Sequence, residues 1–392
     1  MLILPTLPHN GQYRHTNIHG RAPWRAAVVV PARDEVARIL PCLEALRCQW
    51  SLDGRSMLGH FPVVVVVNGT SDATCGEVLR WAANYPALPL VLIDIDFPAP
   101  EAHVGSARGL GLDVAAGLLE HNGWGKRLLF STDADSRLAP NALAEAYALL
   151  QRGADAVGAH IVAGEADTSK IGLKINAYRA LHSSLRHRYY PGEFDVQPSH
   201  GDFGGAGFGV SLEAYREVGG LPRIPYHEDQ RMRRRLLDAN LKIVYPRTVT
   251  VYTSTRTDGR AEWGMAKQLA AWEDDHAAGK WPVVPCVDGV VWKYALKAAL
   301  RDGRPVLHGF DESGRLADVW AGTNRSLGFE ARWRKFWTHP TTAEIREARF
   351  PQRPLPEAIE SFRTGRQEVA LRAAPAARLG LRQAGAAETP QA

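Results

Sequence analysis

From Trp24 onward the chain alternates between two hydrophobic patterns. Short unbroken apolar runs, "AAVVV" from Ala26, "VVVVV" from Val63, "LVLI" from Leu90 and "LLF" from Leu128, predict strands buried on both faces. Between them the apolar residues fall at helical spacing. The stretch from Asp34 to Trp50 places Val36, Ile39, Leu40, Leu43 and Leu46 on one face, and Pro41 inside it predicts a kink or restart. "NGTSDAT" opens a second helix capped by Ser71 or Asp72, "GSARGLGLDVAAGLLEHNG" is a third with a glycine-rich start, and "PNALAEAYALLQRG" is a fourth stopped by Gly153. "ADAVGAHIV" reads as a fifth strand.

Buried strands separated by helices imply a parallel sheet covered on both faces. In such sheets ligands bind outside the carboxyl ends of the strands. That rim collects three polar segments: Pro31 to Glu35, Asn68 to Asp72, and Asp133 to Asp135.

The second half changes character. "HGDFGGAGFGVSLEAYREVGGL" is a glycine-rich loop and a helix, with Ser211 as N-cap and Gly219-Gly220 as the stop. "YHEDQRMRRRLLDAN" is a helix ending at Asn240, and "LKIVYPRTVTVYTSTR" is a strand pair or one bent strand. Past about Thr257 the chain reads as helical and rich in tryptophan, in "EWGMAKQLAAWED", "VVWKYALKAAL" and "FEARWRKFW". There is no internal repeat.

Composition narrows the class. A chain of 392 residues holds one large domain with additions, or two domains. Its net charge of +5 is modest; it suits anionic ligands or a weak attraction to an acidic membrane face, and does not point to nucleic acid. The four cysteines, Cys42, Cys48, Cys75 and Cys286, form no C-x-x-C pair, which argues against a zinc knuckle or redox motif and for a reducing compartment. The N-terminal apolar run is short and carries proline, unlike a signal peptide. No stretch reaches the ~18 apolar residues of a membrane span. A soluble, cytoplasmic protein is the expectation.

Asp133-Ala134-Asp135 ends an apolar strand in two acids, which repel unless a cation lies between them. Carboxylates suit Mg2+ or Mn2+ bridging to phosphates, whereas the bland reading is a turn or cap. Asp94 and Asp96 in "VLIDIDF" form a competing pair on one strand face. Pro31 to Glu35 and Asn68 to Asp72 could contact a ribose or base, or simply cap helices. Arg108, at a helix start, is a diphosphate partner or a solvated arginine. His227-Glu228-Asp229 opens a helix, where an ionised acid is favoured as cap or as general base. No G-x-x-x-x-G-K-[ST], H-E-x-x-H or G-x-S-x-G motif occurs, and "GGAGFG" from Gly204 is not a dinucleotide fingerprint.

In order, "VVVPARDE", "VVVVVNGTSDAT", "GSARGLGLDVAA", "LLFSTDADS", "GGAGFGVSLEAYREVGGL" and "HEDQRMRRRLLDANLKIVYPR" resemble the family 2 glycosyltransferases with the GT-A fold. The resemblance covers roughly residues 25–256. It implies a Rossmann-like α/β fold, a mostly parallel central sheet flanked by helices, with a mostly helical C-terminal addition. It implies a nucleotide-diphosphate sugar donor, usually a UDP-sugar, a divalent Mn2+ or Mg2+, inversion at the anomeric carbon, and transfer to an acceptor hydroxyl. By motif, Pro31, Arg33, Glu35, Asn68 and Asp72 would lie near the nucleoside, and Arg108 would face the uracil or diphosphate. Asp133 would touch ribose or metal, Asp135 would ligate the metal, and Asp229 would be the base with Glu228 beside it.

Three departures from that pattern stand out. Gly109 follows the basic residue where asparagine is common. Q-x-x-R-W is absent, with "GRAEWGMAKQ" near its place, which favours non-processive transfer. Where some relatives carry a third, histidine, metal ligand, this chain has Thr253, Ser254 and Thr255, leaving His200 and His227 as candidates.

The expected organisation is an N-terminal extension over 1–24, a GT-A catalytic domain over 25–257, a helical addition over 258–364 and a disordered tail over 365–392. One alternative is a sugar-phosphate nucleotidyltransferase, which would want a glycine-rich basic loop that "PARDEVAR" lacks. Another is a non-catalytic nucleotide-sugar-binding protein. The acceptor, whether small molecule, glycan or lipid-linked, would meet the "GGAGFG" loop and the helical addition. The stretch "RWRKFW" is either a peripheral membrane contact or a helix with a packed aromatic face.

Overall fold

The valine-rich runs become the central strands of one sheet. In this computed structural model, which describes residues 4, 6–18, 24–120, 125–163, 170–190, 199–254, 271–272, 274–303, 310–311 and 313–363, β2 (Ala26–Ala32), β3 (Val63–Asn68), β4 (Leu90–Ile95) and β5 (Leu128–Thr132) lie parallel. Most of "EWGMAKQLAAWED", Thr255 and the tail from residue 365 lie outside the described residues.

Successive residues of each strand feed opposite cores, the physical meaning of an unbroken apolar run. Val28, Val30, Val63, Val65, Leu92 and Phe130 pack under α1 (Ile39–Arg47), α2 (Thr74–Asn84) and α4 (Ala142–Gln151). Val29, Val64, Val66, Val91, Ile93 and Leu129 pack against α3 (Val104–Glu120) and, further along, α6 (Leu212–Glu217) and α7 (Glu228–Asp238). The first helix starts at Ile39 rather than near Asp34. Pro41 therefore falls in its first turn, where a missing N–H leaves no intrahelical bond unmade.

The large sheet has the order β1-β4-β3-β2-β5-β9-β7-β10, and it is mixed rather than wholly parallel. At one edge β1 (Gln12–Thr16) pairs antiparallel with β4, so the N-terminal extension supplies an edge strand. Inside the sheet β9 (Gly207–Ser211), part of the stretch read as a loop, runs antiparallel to both β5 and β7 (Ala156–Gly158). The predicted fifth strand divides at Ala159 into β7 and β8 (His160–Ala163). "LKIVYPRTVTVYTSTR" divides likewise, into β10 (Ile243–Val244) on the large sheet and β11 (Thr250–Thr253). β11 joins β8 and β6 (Ser136–Leu138) in a second, three-stranded sheet.

The expected caps hold at α6, where Ser211 accepts from the Ala214 N–H at 3.1 Å and Gly219 and Gly220 follow with positive φ. Behind the sheet, α5 (Lys170–Tyr189) packs with the helices Val287–Arg301 and Leu355–Arg363. A further core joins Trp292 and Leu296 to Trp333 and Phe336 of the helix Phe329–Trp337. The aromatic face of "RWRKFW" is thus spent on internal packing, not offered to a membrane. Among the described residues no helix is long and apolar enough to cross one.

Helix α3 approaches the sheet most closely at Gly111. A Cβ there would stand 2.4 Å from Val29 Cγ1 and 3.1 Å from Val66 Cγ2. Gly111→Ala gains about 1 kcal/mol of helix propensity but overpacks this contact by about 1–3 kcal/mol. The expected result is net destabilisation in urea denaturation with an unchanged slope; a stabilised variant would show that the helix can lift without loss.

Candidate active site

The strand order reverses direction between β2 and β5: the chain steps from β2 outward through β3 to β4, then returns to the other flank of β2. The helices on either side of such a point diverge and leave a crevice at the carboxyl ends. The segments leaving β2 and β5 are those that carry Arg33 to Glu35 and Asp133 to Asp135. Asp94 and Asp96 lie three strands from β5, roughly 14 Å away at the usual strand spacing. Asp94 is engaged there, accepting from Arg14 Nε of the edge strand at 2.9 Å.

One flank of the crevice is a lattice between the loops after β2 and β3. Asp34, at φ 48°, accepts from the Ser71 N–H at 2.5 Å and the Ser71 hydroxyl at 3.0 Å. Its own N–H donates to Thr70 Oγ1 at 2.9 Å, and the Glu35 N–H donates to Thr74 Oγ1 at 2.8 Å. Asp72 accepts from the N–H groups of Val36 and Thr74 and from the Thr70 hydroxyl. Burial pushes the Asp72 carboxyl up, but these hydrogen bonds prevail and bring it down to about 2. Asp72, not Ser71, therefore serves the start of α2.

Of the other expected nucleoside contacts, Arg33 is exposed at the rim and Glu35 is buried. Pro31 lies inside β2 opposite Val66, and Asn68 is buried with its carbonyl accepting from the Phe97 N–H at 3.3 Å.

The other flank is built on Arg108. Its side chain is 2% exposed, not solvated. Nη1 donates to Ser131 Oγ at 2.8 Å and to the Gly205 carbonyl at 2.9 Å, Nη2 to Asp133 Oδ1 at 2.7 Å, and Nε to Glu228 Oε1 at 3.1 Å. Burial opposes its charge, yet Asp133 and Glu228 hold it firmly protonated. Burial also pushes the Glu228 carboxyl up against the pull of Arg108.

The antiparallel β9 delivers this flank. Thr132 pairs with Gly207, so the loop Gly204–Ala206 arrives beside Asp133. A Cβ on Gly205 would stand 3.0 Å from Arg108 Nη2, so a bare backbone is needed there. The Gly205 N–H donates to Asp229 Oδ2 at 2.7 Å, and the Gln230 N–H donates to Oδ1 at 2.6 Å. Asp229 is half-buried in the first turn of α7, oriented by both bonds. Glu228, by contrast, turns inward.

Asp133 and Asp135 are half-buried at the crevice. Cys42 of α1, with Sγ 3.6 Å from the Asp133 carbonyl, registers the local field. Its thiol is pushed up by burial and then by Asp135, Asp133 and Glu35. Negative charge is concentrated here, and the available donors are hard oxygens. Among the described residues no three His, Cys, Asp or Glu side chains converge as a complete metal cage. The set fits Mg2+ or Mn2+, which take one or two carboxylates and fill the remaining positions with phosphate and water.

β11 runs antiparallel to β6 with Thr253 opposite Ser136, and the two hydroxyls are 2.9 Å apart, which brings this segment beside Asp135. His200 is committed elsewhere: Nε2 meets the Gly158 carbonyl at 3.0 Å and Nδ1 accepts from the Asp202 N–H at 3.1 Å. Exposed His227 precedes α7 in a left-handed conformation. Ser131 and Thr74 went unread in the sequence, and Thr70 and Gly205 were read only as parts of their loops. The one available signal was the pair of hydroxyl residues, Ser131 and Thr132, closing an apolar strand.

Residues 27–219 match the family model described as glycosyl transferase family 2. Over this segment the chain belongs to that family. It is a glycosyltransferase, which closes the nucleotidyltransferase alternative, and the GT-A architecture expected of the family is the one described above.

The family 2 glycosyltransferase also overlaps with solved structures. One is a mannosyltransferase from Pyrobaculum calidifontis in complex with GDP-Man and Mn2+, at 20% identity, covering 95% of this chain and 91% of that one with a TM-score of 0.44. Another is S. aureus TarS 1-349 in complex with UDP-GlcNAc, at 14% identity, 87% and 90% coverage and a TM-score of 0.46. A third is M. tuberculosis glucosyl-3-phosphoglycerate synthase, at 16% identity, 67% and 85% coverage and a TM-score of 0.36. No curated protein sequence matches the chain. The assignment stands on the family match.

Arg108→Met removes the cation between Asp133 and Glu228, and breaking a buried pair costs about 3–5 kcal/mol. Chemical denaturation at neutral pH is expected to show a loss of that order, partly recovered in Arg108→Met/Glu228→Gln; no recovery would mean that the lost hydrogen bonds, not the buried charge, dominate. Asp72 has a depressed folded-state value, so its contribution is present above 3.8 and is lost as pH falls through about 2. The stability deficit of Asp72→Asn should therefore be full at neutral pH and shrink across that acid window.

Proposed function

We propose that this glycosyltransferase moves a sugar from a nucleotide-diphosphate donor, a UDP-sugar first among those to test, to an acceptor hydroxyl with inversion and without processive polymerisation. The observation that carries the reading is the oriented Asp229 carboxylate. It stands at the same rim as Asp133 and Asp135 and is tied to Asp133 through Gly205 and Arg108.

In this reading the nucleoside rests on the lattice of Asp34, Thr70 and Asp72, with Arg33 exposed above it and Glu35 beneath. The diphosphate reaches Asp133 and Asp135. A bound divalent cation would supply charge neutralisation for the diphosphate leaving group. Asp229 takes the proton of the acceptor hydroxyl as its oxygen bonds the anomeric carbon and the bond to the diphosphate oxygen breaks on the opposite face. One displacement inverts the centre.

Arg108 acts at one remove. Four of its five N–H donors are committed to Ser131, Asp133, Gly205 and Glu228, so its main work is to set the positions of Asp133 and the Gly205 loop. Glu228 holds Arg108 and is a positioning residue.

The test is thermal stability against UDP-, GDP-, dTDP- and CMP-linked sugars with and without Mn2+, since a ligand of the native state raises its melting point. A Mn2+-dependent shift with one donor class is expected, and Asp135→Ala should lose it while Asp94→Ala keeps it. Asp229→Asn should retain the shift and lose transfer by roughly 10²–10⁴-fold. If Asp94→Ala abolishes the metal dependence and Asp135→Ala does not, the wrong acid pair has been assigned. If no donor binds, the non-catalytic reading takes its place.

A further inference from the structure

Basic side chains unused by the transfer chemistry converge behind α7. Lys293 and Lys297 are one turn apart on the helix Val287–Arg301, Arg233 comes from α7, and Arg346 from the helix Pro340–Arg349. Gathered like charges repel, and more strongly as water is excluded. The acids around them answer only part of that charge. Glu330 takes Lys297 at 2.7 Å, and Glu347 meets Arg346 at 3.4 Å in an exposed contact. Asp202 acts from the side of His182 and Tyr294. The partner of Arg233 is neutral, its Nε donating to the Tyr245 hydroxyl at 2.9 Å.

Lys293 is the most exposed to this imbalance. Its side chain is half-buried, and its ammonium lies over the rings of Tyr294 and Trp337, 5.4 and 5.3 Å from their centroids. Among the described residues it has no hydrogen bond or ion pair. Burial, then the charges of Lys297, Arg233, Arg346 and Arg186, hold it down to about 8. A cation kept in such a field loses stability unless an anion joins it.

The place of the cluster gives it a role. Arg233 follows Asp229 by four residues on α7, on the same helix face and about 6 Å along the axis. Arg233 therefore joins the cluster to the helix face that carries the carboxylate assigned to the acceptor proton. A single carboxylate would be satisfied by one arginine fork, whereas several separate cations match the spread oxygens of a phosphate.

We propose that Lys293, Arg233 and Arg346 form an acceptor subsite for a phosphate group, so that the sugar goes to a hydroxyl on a phosphorylated acceptor. The assignment to the acceptor rests on the transfer reading above; the binding of phosphate does not. The same chemistry is presented by a soluble phosphate ester or by a lipid-borne phosphate.

The experiment titrates the full chain calorimetrically with glycerol 3-phosphate in the absence of divalent cations, with glycerol as the neutral control. A flotation arm uses phosphatidylcholine vesicles with and without phosphatidic acid. Wild type should bind glycerol 3-phosphate, or the phosphatidic acid vesicles if the phosphate is lipid-borne. Lys293→Gln should weaken that binding by about tenfold or more, the loss of one charge-assisted bond, and Lys293→Arg should retain it. If Lys293→Gln does not fold, Arg233→Gln carries the same expectation.

Equal binding in the neutral variants, or no binding of either probe by wild type, overturns the subsite. Phosphate binding lost in Lys293→Gln, in a chain that shifts with no nucleotide sugar, would keep the subsite and sink the transfer reading instead.

Discussion

The flank of the rim that carries the acids Asp133 and Asp229 depends on one buried guanidinium. Arg108 is reached from α3, and its donors tie β5, the loop before β9 and α7 together. A buried cation is tolerable only where acids and carbonyls surround it, and a buried acid only where a cation does. Arg108, Asp133 and Glu228 therefore have to be placed together or not at all. Their mutual requirement registers α7 against the sheet, and with it the half-buried neighbour of Glu228, Asp229. One residue of a consecutive acidic pair is buried against Arg108, and the other is left at the rim.

The mixed sheet explains how so long a sequence separation is closed. Had β9 run parallel to β5, its N-terminal end would lie at the opposite edge of the molecule, and the Gly204–Ala206 loop with it. Running antiparallel, β9 begins where β5 ends. The backbone of Gly205 then both accepts from Arg108 and donates to Asp229. The reversal of strand order between β2 and β5 opens the crevice, and the antiparallel insertion furnishes its second wall.

The C-terminal helices extend the same logic past the family segment. Their aromatic residues fill two cores, and Lys293 and Lys297 lie over rings that lend partial negative character. Tyr190 sits under Lys297 and Arg301 of one helix, and Tyr245 under Arg186 and Arg233 of two. This packing gathers the cations of a stretch with no motif of its own over shared aromatic rings.

By itself the sequence determined what depends on local chemistry. Unbroken valine runs can only be strands covered on both faces, Ser211 and Gly219-Gly220 bound α6, and strands alternating with helices place Asp72, Asp133 and Asp135 on one rim. These follow from periodicity and from backbone preferences that act over a few residues. Tertiary structure alone decided the rest. Glycines 207 and 209 carry no strand signal, so β9 exists because two neighbouring strands supply its hydrogen bonds. Arg108 and Glu228 look solvated in a linear reading, since a charge is buried only when its partner, 120 positions away, is buried with it. The gathering of Arg233, Lys293 and Arg346 has the same cause: no local pattern records a long-range electrostatic contact, because its energy belongs to a pair and not to either residue.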